Sequence, residues 1–202
     1  MKIATYNIDW AKKGKFKIEE YLNQFDFDFL ILTEAIDLNL KNFNYKYFSE
    51  EIPTHILYET QNYSKILNHE KGYRTIIYSK IPLSKKHQVI DDKTNIALEF
   101  ETKMGAIIIY ATIIGVFGGK GERFKNDLKG QIQDFQKFKI NETNCIIGDL
   151  NTTFTGFAYP SHEARNNLNK VFSDLKMKNL TDKIDNNVDH IVISNSFISD
   201  KK

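Results

Sequence analysis

The chain has 202 residues, 41% of them hydrophobic and 27% charged, with a formal net charge of +2. That is enough chain for one domain with a substantial core, and the composition is that of a soluble globular protein. A charge this close to neutral excludes a globally basic nucleic-acid binder but leaves room for a local basic face. No run of residues is long enough to span a membrane, and the start of the chain has no signal-peptide core. The single cysteine, Cys145, cannot form an internal disulfide and sits in an apolar run, which makes it a core residue. These features point to the cytoplasm.

In chain order, residues 2 to 8 read as a strand ending in Asn7-Ile8-Asp9. After a Gly14 turn among lysines, Ile18, Tyr21, Leu22 and Phe25 recur at helical spacing. Phe27 to Thr33 has no polar face and reads as a buried strand leading into Glu34. If the two strands lie parallel and adjacent, Asn7 and Glu34 reach the same edge. From Ala35 to Glu70 the sequence is aromatic and aperiodic, with short strands suggested at Tyr45 to Phe48 and Thr54 to Tyr58. Three strand-like runs follow, Tyr73 to Ser79, Ile96 to Glu101 and Ala106 to Thr112, whose short connections predict antiparallel neighbours.

The segment Gly115 to Gly121 lacks Walker spacing and reads as a glycine loop, either a plain turn or a backbone close to substrate phosphate with Lys120 and Arg123 nearby. Phe124, Leu128, Ile132, Phe135 and Phe138 mark one face of a long helix that serves as a crossover to the strand at Cys145. That strand stops at Gly148-Asp149-Leu150-Asn151, where Gly148 is expected to allow a tight turn. Pro160-Ser161 opens a helix with Ala164, Leu168, Val171, Phe172 and Leu175 on its buried stripe, and Asp189-His190 precedes the strand Ile191 to Ser194.

Four polar strand ends in one small chain, all carboxylate or amide, suggest a shared site of hard oxygen ligands suited to Mg²⁺ or Mn²⁺. Taken singly, each is also an ordinary turn residue.

Together, Thr5-Tyr6-Asn7-Ile8-Asp9, Leu32-Thr33-Glu34, Gly72 to Ser79, Gly148-Asp149-Leu150-Asn151 and Asp189 to Ser194 resemble, in order and spacing, the endonuclease/exonuclease/phosphatase superfamily of exonuclease III-like, DNase I-like and sphingomyelinase-like enzymes. The resemblance runs through most of the chain and implies one domain over residues 1–202. Its implied fold is a four-layer α/β sandwich, two mixed β-sheets face to face with helices outside. It further implies metal-dependent phosphodiester hydrolysis. Asn7 and Glu34 resemble the metal pair, with Asp9 an additional acid; Asp149 resembles the residue that orients and deprotonates water; Asn151 resembles the donor that holds the scissile phosphate. Asp189 resembles the acid that orients a catalytic histidine. Arg74, inside the matched Gly72 to Ser79 piece, and Lys120 join Asn151 as substrate-binding candidates.

The family's Ser-Asp-His before a last strand is missing: Ser199-Asp200-Lys201 resembles it in letters only, and neither His nor Tyr stands at Thr112 or Ile113. A truncated gene product and a reduced family member both explain this. His190 follows Asp189 but, in a regular strand, points away from it. The leading expectation is a Mg²⁺- or Mn²⁺-dependent nuclease acting on DNA or RNA, helped by Lys12, Lys13, Lys15 and Lys17 near the Asn7 end. The alternatives are a phosphatase or phosphodiesterase for a small or lipid head-group phosphoester, and a non-catalytic binding module on the same fold.

Overall fold

A computed structural model describes residues 1–54, 61–116, 121–138 and 142–198. Strand β1 (Ile3–Asn7) and helix α1 (Lys15–Leu22) lead to β2 (Phe29–Ile36) and β3 (Tyr45–Phe48). Helix α2 (Tyr63–Leu67) follows, then β4 (Gly72–Ser79), β5 (Lys85–His87), β6 (Ile96–Thr102) and β7 (Gly105–Ile113). The chain continues through α3 (Glu122–Phe135), β8 (Asn144–Asp149), α4 (His162–Asp174), β9 (Met177–Asn179) and β10 (Asp189–Ser194).

The strands form two mixed sheets, one in the order β1-β2-β4-β3 and one in the order β5-β6-β7-β8-β10-β9. Strands β1 and β2 are parallel neighbours, with Asn7 opposite Thr33, as the shared-edge argument requires. In the six-stranded sheet α3 makes the crossover between parallel β7 and β8, and β10 runs antiparallel to β8. The expectation that the three middle strands are neighbours holds for β6 and β7 only. Strand β4 instead pairs with β2 and β3 in the other sheet. The 16 residues from Lys80 to Asn95 are long enough to carry the chain across, with β5 on the way.

Alternation along the strands builds three apolar layers. Phe29, Ile31, Ile77, Leu98, Ile109, Cys145, Ile147 and Ile193 fill the space between the sheets. Ile18 and Leu22 of α1 and Tyr63 and Leu67 of α2 cover the outer face of the four-stranded sheet. Phe124, Leu128, Phe135, Leu168 and Val171 of α3 and α4 cover the outer face of the six-stranded sheet. The result is the four-layer sandwich with helices outside. Ser161 caps α4 by accepting from the Ala164 N–H at 3.1 Å, and Cys145 is fully buried, its thiol pushed up to about 12 by that burial.

Most of the helix and strand expectations hold, with shifted ends. Strand β2 starts two residues later than Phe27 and runs on through Glu34 to Ile36. Glu34 is therefore inside a strand, not at its end. Tyr21 and Phe25, counted on the buried side of α1, are 51% and 36% exposed. Most of the proposed strand from Thr54 to Tyr58 lies outside the described residues.

Candidate active site at one edge of the sandwich

Asn7, Asp149 and Asp189 each stand at an end of a strand on the face that looks between the two sheets. Ile3, Thr5 and Asn7 alternate inward on β1, and Cys145, Ile147 and Asp149 do so on β8. Asp189 lies directly across the ladder from Asp149, in register. The apolar filling between the sheets thus gives way to carboxylates and an amide at one rim. Just below them Thr5 and Thr33 bring buried hydroxyls that have no hydrogen-bond partner.

Glu34 reaches this rim by a backbone irregularity. Its φ of +45° lies in the left-handed region, yet the register is unbroken, with Thr33 opposite Thr75 and Ala35 opposite Tyr73. Regular alternation from Thr33 would send Glu34 toward the helical layer; the reversed φ breaks that alternation. The charge of Glu34 is felt at Asp189, and the charges of Asp149 and Asp9 are felt at Glu34.

Asp149 is 7% exposed and held at both oxygens. Its Oδ1 accepts from the Asn151 backbone N–H at 2.9 Å and its Oδ2 from Asn7 Nδ2 at 3.2 Å. Burial and the charge of Asp189 push its pKa up to about 6, against those two bonds. Burial and the charge of Glu34 likewise push Asp189 up to about 6, and one of its carboxylate oxygens is buried without a partner. Glu34 is raised by burial, opposed by the positive charge of Arg74.

The residue that seats Asp149 is Gly148, and the reason differs from the expected turn. Gly148 lies inside β8 with φ +136°, and a Cβ there would fall 2.0 Å from the Thr112 carbonyl oxygen on neighbouring β7. Only glycine allows this close approach. Asn151 also has φ +45°; its Nδ2 donates to the Ile114 carbonyl at 2.9 Å, leaving a second N–H.

Asp9 begins a rare feature, three consecutive non-glycine residues with positive φ: Asp9 (+45°), Trp10 (+55°) and Ala11 (+57°). Its amide N–H donates to Asn7 Oδ1 at 2.9 Å, and its half-exposed carboxylate pairs with Lys12 at 2.6 Å. Arg74 is 2% exposed, donates to the Tyr63 hydroxyl at 2.5 Å, and lies 5.4 and 5.2 Å from the Trp10 and Tyr63 ring centroids. With Glu34, Arg123 and Phe124, these residues line a cleft of about 610 Å³. Trp10 and Tyr63 were not singled out in the sequence, where a buried aromatic looks the same whether it lines a cleft or fills a core. Lys120 lies outside the described residues.

His190 is fully buried and turned away from Asp189, as alternation predicts. Its Nε2 donates toward the Thr152 and Asn187 carbonyls at 2.9 and 3.1 Å, and its Nδ1 lies 2.9 Å from the Thr181 hydroxyl. Burial lowers its pKa, against the hydrogen bonds to Thr152 and Asn187. Tyr110 is likewise committed elsewhere, to Asp134 at 2.8 Å beneath α3.

The two-sheet sandwich with helices outside is a fold shared with solved structures of distant sequence. Among solved structures the chain is similar to an endonuclease/exonuclease/phosphatase from Beutenbergia cavernae, with TM-score 0.69 and 12% identity over 96% of this chain and 64% of that one. It is similar to an AP endonuclease from Archaeoglobus fulgidus, with TM-score 0.67 and 15% identity over 96% and 86% of the two chains. It is also similar to a variant of beta toxin from Staphylococcus aureus with bound magnesium ions, with TM-score 0.60 and 16% identity over 100% and 86%. No family profile matches the chain. No curated protein matches it either. At these identities the likeness establishes the fold.

Proposed function

We propose that this chain is a divalent-metal-dependent phosphodiester hydrolase whose substrate is nucleic acid. The observation that carries the reading is the gathering of Glu34, Asp149 and Asp189, from both sheets, at one buried rim where each raises the pKa of another. Repulsive buried carboxylates with an unpartnered oxygen are costly unless a cation or a proton joins them. The donors are hard oxygens, which fit Mg²⁺ or Mn²⁺. Among the described residues no three His, Cys, Asp or Glu side chains converge into a ready-made cage. That is compatible with Mg²⁺, which typically takes one or two carboxylates and keeps several waters.

In this reading Glu34 is the principal ligand, with Asn7 and Asp9 beside it. A bound dication would supply charge neutralisation for the oxygens of the phosphate under attack. The remaining work belongs to the chain itself. Asp149, fixed at both oxygens by Asn7 and the Asn151 N–H, orients a water for attack on phosphorus and takes its proton, while the bond from phosphorus to the leaving ester oxygen breaks and that oxygen takes a proton from solvent. In the metal-free chain its pKa of about 6 already lies toward the range of a base operating near neutrality. The spare Nδ2 hydrogen of Asn151 donates to a non-bridging phosphate oxygen, an amide serving where a carboxylate would repel. Asp189 faces Asp149 across the ladder and holds that water from the other side. Arg74 balances the charge of Glu34 and, with Lys120, attracts the substrate's phosphates.

The substrate assignment draws on the name of the Archaeoglobus neighbour, an AP endonuclease, and the cofactor on the magnesium in the beta toxin variant. The test is cleavage of end-labelled DNA and RNA with Mg²⁺, Mn²⁺ or chelator, by this chain and by Asp149→Ala. Metal-dependent cleavage that falls at least about a hundredfold in the variant is expected. Equal cleavage by the two proteins, or cleavage in chelator, contradicts the assignment.

A further inference from the structure

The loop that follows Asn151 is built around one side chain, Arg165, near the start of α4. Its Nε donates to the Thr153 carbonyl at 2.6 Å. Its Nη2 lies 3.0 Å from the Thr153 hydroxyl and 3.2, 3.2 and 3.0 Å from the carbonyls of Thr155, Gly156 and Phe157. The loop also closes on itself: the Thr153 N–H donates to the Tyr159 carbonyl at 2.9 Å, and the Tyr159 N–H donates to the Thr153 hydroxyl at 3.0 Å. The chain from Thr153 to Phe157 is thus wrapped around a guanidinium whose oxygen partners are carbonyls and a hydroxyl. A fork of N–H groups at fixed angles reaches several acceptors at once, which the single ammonium of lysine does not.

What precedes the loop gives this arrangement its consequence. Asn151 sits in the left-handed region with φ +45°, a conformation that a residue with a Cβ keeps only where its surroundings fix it from both sides. On the strand side the Leu150 N–H donates to the Val188 carbonyl at 2.8 Å, and the Asn151 N–H donates to Asp149 Oδ1 at 2.9 Å. On the loop side the Thr152 carbonyl accepts from His190 Nε2 at 2.9 Å, and Arg165 holds Thr153 by its carbonyl and its hydroxyl. Because the Asn151 N–H is one of the two donors that fix Asp149, any shift of Asn151 loosens both groups.

We propose that Arg165 is a positioning residue: by holding Thr153 it keeps Asn151 in its left-handed conformation, and with it the Asn151 amide and Asp149 Oδ1 in place at the rim. Arg165 acts through Thr153 and Asn151. Its effect on catalysis rests on the hydrolase reading, but its hold on Asn151 is measurable with no reaction at all.

The test is amide hydrogen exchange, read by NMR in chelator, on the intact chain, Arg165→Ala and Arg165→Lys, followed by metal-dependent hydrolysis of bis(4-nitrophenyl) phosphate by the same three proteins. The N–H groups of Asn151 and Thr153 are expected to exchange at least about tenfold faster in both variants, as befits the loss of hydrogen bonds from a charged donor. Those of Ile146 and Ile147 inside β8 are expected to change far less. Turnover is expected to fall at least about tenfold, and added methylguanidinium to restore part of it to Arg165→Ala where ethylammonium does not. If the alanine variant does not fold, Arg165→Lys, which keeps the charge and loses the fork, carries the test. Equal acceleration at all four amides means that Arg165 only stabilises the fold, and it overturns the proposal. So does unchanged exchange at Asn151, or freed exchange with turnover undiminished. Freed exchange at Asn151 alongside an intact chain that hydrolyses no diester sinks the hydrolase and sustains the hold on Asn151.

Discussion

Asp189 is the residue where the tension between folding and chemistry is most exposed. Its carboxylate is buried, faces Asp149 and has an oxygen without a partner. Because burial raises the folded-state values of Asp149 and Asp189 from 3.8 to about 6, the folded chain binds protons more tightly than the unfolded one. Their contribution to stability is complete below the unfolded values and is lost as pH rises through about 6. In chelator, acidification from neutral pH toward 5 should therefore raise the contribution of these groups. Asp189→Asn, which removes one charge at constant size, should stabilise the metal-free chain at pH 7.5 by about 1 to 2 kcal/mol, allowing for partial hydration. Chemical denaturation reads this directly, and a destabilised Asn variant would contradict the burial argument. Gly148 marks the opposite case. Ala at that position must clear a carbonyl oxygen 2.0 Å away at φ +136°, so Gly148→Ala should cost about 3 kcal/mol or more, or fail to fold. The sequence offered Gly148 as a turn residue; its constraint is a neighbouring strand, which no local pattern reveals.

Elements long enough to show a period were legible. Helices α3 and α4 and strands β1, β6, β7, β8 and β10 follow from spacing, and the parallel pairing of β1 with β2 meets the condition under which Asn7 and Glu34 share one edge. What escaped is short or non-local. Strands β5 and β9 have three residues each, too few for alternation, and α2 has five, less than two turns. The partner of β4 depends on which sheet it joins, a tertiary matter. The left-handed turn at Asp9, Trp10 and Ala11 was also invisible, since neither Trp nor Ala favours it. The structure holds it with the Trp10 ring against Tyr63 at 5.6 Å and against Arg74. Such strain typically persists at functional sites. Ala11→Gly should relieve part of it and raise stability by about 0.5 to 1 kcal/mol; a loss of stability would show that Ala11 is not strained.

At the scale of the whole molecule, two sheets meet so that charges of one sign collect at a single rim. Asn7, Asp149 and Asp189 were identifiable as strand-end polar residues, and Glu34, expected at a strand end, reaches the same rim from inside β2. Their electrostatic coupling was not identifiable, because it depends on burial. A proton and a dication compete for the same carboxylates, so metal should stabilise the fold strongly at pH 7.5 and weakly at pH 5. The measurement that bears most directly on this account is the melting temperature of the metal-free chain during titration with Mn²⁺ at pH 7.5, beside Glu34→Gln. The account predicts a saturable rise of roughly 5 to 10 °C at a hundredfold excess over the dissociation constant, lost in the variant. No rise, or the same rise in Glu34→Gln, would contradict it.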